Sequence, residues 1–253
     1  MTIVQITDTH ISLDAPRGTA RIRDLEACVA AVNALEPQPD IVIHTGDITH
    51  NGTREEYDCA AGLLKQIKAP LHVMAGNRDN RVELRRAFSD ICGLEPGDHF
   101  IQYVVDLPGV RLIALDSTTD TTNKGLLCPE RLTFLDHALG EDPATPALLF
   151  MHHAPVDIVE AIDPFQFISR DNALEIQRII EKHPQTKALI CGHSHRAATA
   201  KLGDLPVSTT PSVASNLRQG AAERKATEGA PVYAVHEVGQ DGDVGAVNRV
   251  GGS

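Results

Sequence analysis

Positive charge and aromatic side chains are both scarce in this sequence. Its 23 Lys and Arg residues face 34 Asp and Glu residues, a formal net charge of −11, which argues against a surface that coats nucleic acid. Aromatic residues make up only 4% of the chain, so the stacking platforms that bind single strands are lacking as well. We therefore expect no nucleic-acid polymer as a partner. A phosphate substrate is still compatible with an acidic protein when bound cations supply local positive charge.

Long apolar runs and paired cysteines are also lacking. No apolar stretch approaches the roughly 18 residues of a membrane span, so we expect no membrane segment. The first predicted strand begins directly after Met1, from which we expect no secretory signal. The cysteines are scattered and form no CxxC pair, which indicates reduced thiols and a cytoplasmic protein. They are Cys28, Cys59, Cys92, Cys128 and Cys191.

Apolar periodicity predicts strands and helices in alternation, then a hairpin, then strands and helices again. Two mixed β-sheets packed face to face with helices outside account for this order best, whereas the hairpins do not fit the crossovers of a single doubly wound sheet. We expect one α/β domain over residues 1–238 and a loosely held, flexible tail over 239–253, which is rich in Gly and polar residues. The predicted strands cover 3–6, 40–45, 71–75, 101–106, 110–115, 147–151, 187–190, 198–202, 205–209 and 232–238, and the main helices 19–35, 53–67, 129–139 and 171–183.

Residues that can bind a metal follow five of the predicted strands. Chemistry in α/β sheets collects just beyond the carboxyl ends of strands, so these side chains are expected to meet at one edge. Any one of them alone would be explained as an ordinary turn or packed residue, but the joint pattern predicts a two-metal site. Mixed carboxylate, amide and imidazole ligands suit Mn²⁺, Fe²⁺, Co²⁺ or Zn²⁺ better than Ca²⁺. The residues are Asp8, His10, Asp47, Asn77, His152, His193 and His195.

The same residues, taken with their neighbours, resemble the ordered motif set of the calcineurin-like metallophosphoesterases. The motifs are Asp8-x-His10, Gly46-Asp47, Gly76-Asn77, His152 and Gly192-His193-x-His195, and the resemblance covers residues 3 to about 215. Met151–Pro155 and Thr210–Ser212 also resemble the bacterial branch that contains class III cyclic-nucleotide phosphodiesterases and glycerophosphodiesterases. The resemblance implies a four-layer α/β/β/α sandwich, in agreement with the pattern of elements.

The resemblance also implies how the residues divide between two ions. Asp8, His10, Asp47 and His195 would hold the first ion; Asp47, Asn77, His152 and His193 would hold the second, with Asp47 bridging. Two ions about 3.5–4 Å apart can clamp a phosphoryl group and lower the pKa of a bound water. The resulting hydroxide would attack phosphorus in line with the leaving alkoxide, so no Ser or Cys nucleophile is required.

One position departs from the family pattern. The family usually has Gly-Asn-His where this chain has Gly76-Asn77-Arg78, and that histidine contacts the phosphate and helps the leaving group depart. Arg78 can bind phosphate oxygens through its planar guanidinium, but it stays charged and cannot act as a general acid near neutral pH. We expect Asn77 and Arg78, with His152 and His193, to line the catalytic and substrate-binding centre. The alternative is a surface arginine with no role.

The sequence leaves several functions open. The leading hypothesis is a phosphodiesterase that hydrolyses 2′,3′- or 3′,5′-cyclic nucleotides, with a tilt toward the strained 2′,3′ ring because Arg78 offers no proton. A glycerophosphodiesterase or a broad phosphomonoesterase and diesterase is the second enzyme hypothesis. A metal-poor nucleotide-binding protein with little turnover is the alternative from another class. A homodimer is expected by analogy only.

Overall fold

Alternating strands and helices build the computed structural model, which describes residues 1–14, 16–91, 94, 99–159, 161–220, 225, 227–239 and 242–250. Its helices are α1 (Arg17–Asn33), α2 (Arg54–Leu64), α3 (Arg81–Ala87), α4 (Pro129–Glu141) and α5 (Arg170–Glu181). Its strands are β1 (Thr2–Ile6), β2 (Ile41–His44), β3 (Leu71–Val73), β4 (Tyr103–Leu107), β5 (Val110–Leu115), β6 (Ala147–Met151), β7 (Thr186–Cys191), β8 (Ala198–Leu202), β9 (Leu205–Thr209), β10 (Val232–Val238) and β11 (Val244–Val250).

The strands form two mixed sheets. The first has the order β11-β10-β1-β2-β3, in which β1, β2 and β3 are parallel and β10 and β11 are antiparallel. The second has the order β4-β5-β6-β7-β9-β8, with a parallel centre and an antiparallel pair at each edge. Two mixed sheets flanked by helices are the predicted architecture, and the prediction is confirmed. The single doubly wound sheet is excluded.

The two sheets share one core and are joined by buried hydrogen bonds. Strands β2 and β6 are buried along their whole length, as expected of strands whose sequences are largely apolar. The Tyr103 hydroxyl on β4 donates to the Val73 carbonyl on β3 at 2.7 Å, and the Gln5 amide on β1 donates to the Cys191 carbonyl on β7 at 2.8 Å. The carboxyl ends of β1, β2, β3, β6 and β7 therefore come together in space.

The segment from residue 239 onward contains a strand that the sequence pattern did not predict. Val244–Val250 forms strand β11, which pairs antiparallel with β10 from Val244 opposite Val238 to Val250 opposite Val232. Two glycines of the predicted tail lie between the strands: Gly239 N–H donates to the Asp243 carbonyl at 2.9 Å, and Gly242 has a φ of +77°. Residues 240–241 and 251–253 of the predicted tail lie outside the described residues. None of the helices in the described ranges combines the length and the apolar character that a bilayer span requires.

Candidate metal centre

The predicted ligand residues all lie in the turns that leave five parallel strand ends. In the first sheet these turns follow β1, β2 and β3, and in the second they follow β6 and β7. Backbone hydrogen bonds tie the β1 and β2 turns together, since Asp8 N–H donates to the Gly46 carbonyl at 3.0 Å and His10 N–H to the Asp47 carbonyl at 2.9 Å. The turns thus bring together residues far apart in the chain.

The first group consists of Asp8, His10, Asp47 and His195, each offering a ligand atom within 4.8 Å of the others. The Nε2 atoms of His10 and His195 lie 3.3 Å apart. Asp8 Oδ1 lies 3.2 Å from His195 Nε2 and 3.7 Å from His10 Nε2, and Asp47 Oδ2 lies 3.4 Å from His10 Nε2. These four residues are the set assigned to the first ion.

The second group forms around His152. Its Nε2 lies 3.2 Å from Asn77 Oδ1, 3.2 Å from His193 Nδ1 and 3.5 Å from Asp47 Oδ1. Asp47 thus directs one carboxylate oxygen toward each group, as a bridging ligand would. All the residues assigned to the two ions are therefore brought together.

Neighbouring carbonyl groups orient two of the imidazoles. His152 Nδ1 lies 2.8 Å from the Thr45 carbonyl, and His195 Nδ1 lies 3.1 Å from the Leu217 carbonyl. A carbonyl accepts only, so each Nδ1 carries the proton and each Nε2 is left to present its lone pair to the centre. Imidazole nitrogens that face one another with lone pairs inward repel unless a cation lies between them. This arrangement fits divalent metal ions.

A buried carboxylate oxygen of Asp8 also indicates that a divalent metal ion fits here. Asp8 is fully buried; its Oδ2 accepts from the Thr7 hydroxyl at 2.7 Å and from His193 N–H at 3.1 Å. Its Oδ1 receives no well-aligned hydrogen bond from any described residue. Leaving a buried anionic oxygen without a partner is costly, and a cation between Asp8 and His195 would remove that cost.

The backbone is strained at five of the predicted ligands. Among the described residues, the non-glycine positions with positive φ are all predicted ligands, with values between 44° and 62°. Side chains disfavour this left-handed region, so such conformations persist only where the surrounding structure enforces them, and they cluster at functional sites. The five residues are Asp8, His10, Asp47, His193 and His195.

Glycines before the ligands allow the turns to pack this closely. A Cβ atom on Gly76 would lie 2.2 Å from Asp47 Oδ1, and one on Gly192 would lie 2.3 Å from Thr7 Oγ1 and 3.0 Å from Asp8 Oδ2. Any larger residue at either position would displace a ligand. The Gly76-Asn77 and Gly192-His193 pairs in the sequence therefore have a steric cause.

The pKa shifts of the ligand residues differ between the two groups. Burial by itself disfavours the charged form of Asp8, but the facing His195, with smaller contributions from His10, holds the pKa of Asp8 well below its usual range. Burial likewise opposes the charge on His195, yet Asp8 raises the pKa of His195. In the second group, burial and the nearby His152 lower the pKa of His193 to about 3. A cation in the first group would compete with a proton for His195 Nε2, so its affinity should fall at low pH.

Two polar neighbours of the ligands, Asp79 and Asn80, have defined structural roles. Asp79 accepts from Ile48 N–H, Thr49 N–H and Gly76 N–H at 2.9–3.1 Å and from the Tyr57 hydroxyl at 2.8 Å. It therefore holds the turns after β2 and β3 in place. The helix cap is Asn80, whose side chain accepts from Val82 N–H at 2.9 Å. These long-range acceptor roles leave no signal in the sequence.

The histidine beside His152 has no free nitrogen for a metal. His153 Nδ1 lies 2.9 Å from the Ser117 hydroxyl and its Nε2 lies 3.1 Å from the Asn123 carbonyl. Both nitrogens are therefore in hydrogen bonds, although His153 lies near enough to His152 and His193 to form a candidate ligand group with them. Burial, with the neighbouring His193, lowers the pKa of His153 well below its usual range, so the ring is neutral. His153 is a supporting residue.

Arg78 lies at the rim of the centre. Its backbone N–H donates to Asp47 Oδ1 at 2.8 Å, and its exposed side chain lines both the cavity at the ligands, of about 230 Å³, and an adjoining cavity of about 540 Å³. Asn77 and His193 line the cavity at the ligands, whereas His50 lines a different one. Sequence reasoning did not identify Ala161, Ile162, Gln166, Ser194 and Gln219 in the cavity wall, since no local pattern marks them.

Comparisons with known proteins agree with the fold and show the family. The family model described as calcineurin-like phosphoesterase matches residues 1–197. A probable glycerophosphodiester phosphodiesterase from Arcobacter nitrofigilis is 36% identical over 230 residues, covering 87% of this chain and 83% of the relative. A 3′,5′-cyclic adenosine monophosphate phosphodiesterase from Pseudomonas aeruginosa is 28% identical over 244 residues, covering 95% and 86%. The crystal structure of a dimetal phosphatase from Danio rerio has the same fold, with a TM-score of 0.72 at 14% identity, covering 100% of this chain and 96% of that one.

Proposed function

This chain belongs to the calcineurin-like phosphoesterases, and we propose that it hydrolyses small cyclic nucleotides to nucleoside monophosphates at the centre described above. The enzyme class predicted from the sequence, a metal-dependent phosphodiesterase, agrees with the family and with the names of the relatives. The observation that carries the proposal is the position of Asp47, whose two carboxylate oxygens face His10 and His152 in separate ligand groups.

We assign the residues to two divalent cations as the sequence predicts. Asp8, His10 and His195 hold one ion, Asn77, His152 and His193 hold the other, and Asp47 bridges them. The donor set favours Mn²⁺, Fe²⁺, Co²⁺ or Zn²⁺. Bound there, the two ions would polarise the phosphoryl oxygens and lower the pKa of the attacking water.

The protein's own groups orient the phosphate. Thr45 and Leu217 carbonyls fix the rings of His152 and His195, so the ligand atoms need little rearrangement when substrate arrives. The Arg78 guanidinium at the cavity rim binds the phosphoryl oxygens and neutralises part of their charge. A catalytic cavity of about 230 Å³ suits a small ester.

Arg78 also sets the leaving-group requirement. Because a guanidinium stays protonated, it cannot transfer a proton to the departing alkoxide near neutral pH. Substrates with strained or good leaving groups depend least on that proton. We therefore expect a preference for 2′,3′-cyclic over 3′,5′-cyclic nucleotides.

A substrate panel tests the function. The panel contains 2′,3′- and 3′,5′-cyclic AMP, a glycerophosphodiester, a phosphomonoester and bis(p-nitrophenyl) phosphate, each measured with Mn²⁺-loaded and chelator-treated protein. Turnover of cyclic nucleotides that chelation abolishes supports the proposal. Faster turnover of the glycerophosphodiester would favour the function named for the relative at 36% identity. Absence of turnover with Mn²⁺, and with Fe²⁺, Co²⁺ or Zn²⁺ loaded in its place, would favour a nucleotide-binding protein.

Replacing Arg78 by histidine tests the leaving-group argument. We expect Arg78→His to raise kcat on 3′,5′-cyclic AMP by about 100-fold, the lower end of the range for general acid catalysis. The rate on 2′,3′-cyclic AMP should change by less than about threefold, because ring strain already assists departure. Equal changes on both substrates would remove the argument. Arg78→Gln, which neither carries charge nor donates a titrating proton, separates loss of phosphate binding from gain of acid catalysis.

A further inference from the structure

An exposed isoleucine forms part of the catalytic cavity wall. Among the described residues that line this cavity, the apolar ones are Ala161 and Ile162, and the others are polar or charged. Ala161 is almost buried, whereas Ile162 is 83% exposed. Single exposed apolar residues are common on protein surfaces and need no explanation by themselves. Ile162 differs from other exposed apolar residues because it lies at the mouth of a phosphoesterase site.

The loop that carries Ile162 is held firmly by hydrogen bonds. We call residues 157–159 and 161–165 the rim loop. Asp157 pairs with Phe165 in an antiparallel bridge, and Ile158 N–H donates to the Pro164 carbonyl at 2.8 Å. Ala161 N–H closes the tip on the Ile158 carbonyl at 3.2 Å. The tip of the rim loop is therefore built into a small hairpin.

Charged side chains fasten the rim loop on both sides. The Lys124 ammonium donates to the Asp163 carboxylate and to the Phe165 carbonyl. On the other side, Arg170 pairs with Asp157 at 2.9 and 3.0 Å and stacks over the Phe165 ring, 4.4 Å from its centroid. Ile162 is thus held at the cavity mouth by fixed neighbours.

We propose that Ile162 is a specificity-determining residue, which packs against the nucleobase of the substrate while the phosphate occupies the metal centre. The proposal rests on the phosphodiesterase function above. An exposed isoleucine offers apolar contact to the flat face of a base and is covered by it, whereas the hydroxyl-bearing glycerol of a glycerophosphodiester gains nothing from that contact. The rim loop would then favour nucleotide esters over glycerol esters.

The chain supplies a matched control for this position. Val159 lies in the same loop, is also β-branched and is 76% exposed, yet it does not line the catalytic cavity. The sequence contains no tryptophan. A tryptophan placed at either position is therefore the single indole of the protein and reports on that position alone.

The first test is kinetic. Ile162→Ser should raise the KM for cyclic AMP by about tenfold, the lower end of the range for losing an apolar contact in a substrate site, with kcat within about twofold. The KM for glycerophosphoethanolamine should change by less than about twofold, and Val159→Ser should alter neither. A parallel rise in both KM values, or no rise for cyclic AMP, would overturn the proposal.

The second test measures binding without turnover. Ile162→Trp and Val159→Trp proteins, with and without Mn²⁺, are titrated with 3′-AMP and with glycerol 3-phosphate while tryptophan fluorescence is recorded. We expect saturable quenching by 3′-AMP at position 162 only. Equal quenching at both positions, or none at 162, contradicts the contact. If no phosphodiester is turned over but 3′-AMP still quenches at 162, the proposed function fails while the base contact stands.

Discussion

His44 makes stability depend on pH. This fully buried residue at the end of β2 links the first two ligand turns: its Nδ1 accepts from Gly46 N–H at 3.2 Å, and its Nε2 lies 3.1 Å from the Thr9 hydroxyl. The Thr9 hydroxyl donates to the Ile48 carbonyl at 2.8 Å, so it accepts the Nε2 proton. His44 is therefore neutral, with one nitrogen accepting and one donating. Burial lowers the pKa of His44 to about 3.

The sign and size of the effect follow from linkage. The unfolded chain binds the His44 proton with a pKa of about 6.5, so below that pH protonation favours unfolding. The stability contributed by neutral His44 is present above about pH 6.5 and is lost as pH falls toward about 3. The loss amounts to about 2 kcal/mol at pH 5 and approaches about 5 kcal/mol at the acid end.

Urea unfolding of chelator-treated protein at pH 7 and pH 5 measures this loss. Between the two pH values, the parent should lose about 2 kcal/mol more unfolding free energy than His44→Gln, which cannot titrate. Other buried histidines, such as His236 with a pKa lowered by burial to about 4, contribute equally to both proteins and cancel in the difference. The exposed His137 supplies the control, and His137→Gln should behave as the parent does. Equal losses in parent and His44→Gln would refute the reasoning.

Two substitutions of carboxylates by amides test the centre and its support. Asp47→Asn removes the bridge between the two groups, and we expect bound Mn²⁺ to fall from two ions per chain to at most one, measured by elemental analysis. Changing a residue that only supports a metal ligand typically lowers activity by about 10- to 100-fold, and we expect Asp47→Asn to lower turnover by more than that. Retention of both ions would contradict the assignment. Asp116→Asn breaks a buried pair in which Arg81 Nε and Nη2 contact the two carboxylate oxygens at 2.7 and 3.2 Å. Asp116→Asn should lower the free energy of unfolding in urea by about 3–5 kcal/mol. The control Asp120→Asn changes an exposed carboxylate and should lower it by less than about 1 kcal/mol. Similar losses for the two variants would show that burial of the pair is not decisive.

The ligand positions could be predicted from the sequence because each is a local event. A β-branched or apolar run such as 3–6 predicts a strand, the strand end fixes where Asp8 and His10 fall, and parallel pairing delivers the ends to one edge. Each of these predictions uses only residues that are close in the sequence, and only the pairing of the strands depends on the rest of the fold. The site and the two-sheet fold therefore follow from the same pattern.

The features that escaped prediction depend on contacts across the fold. Asp79 gathers amides from two separate turns, and His153 reaches Ser117 and Asn123, more than 25 residues away. Strand β11 was hidden because glycine marks both loose segments and tight turns, and only pairing with β10 distinguishes them. The position of Ile162 could not be predicted either, because its exposure at the cavity depends on how the rim loop is held by residues elsewhere in the chain.

The left-handed backbone at Asp8, His10, Asp47, His193 and His195 bears on whether the centre is in use. Glycine adopts this conformation without steric penalty, so glycine at any of the five positions would relieve the backbone strain. This chain instead keeps a carboxylate or an imidazole at every one of them. Such a set of unfavourable choices persists under mutation only while the side chains serve a purpose, which weighs against a relic whose chemistry has lapsed.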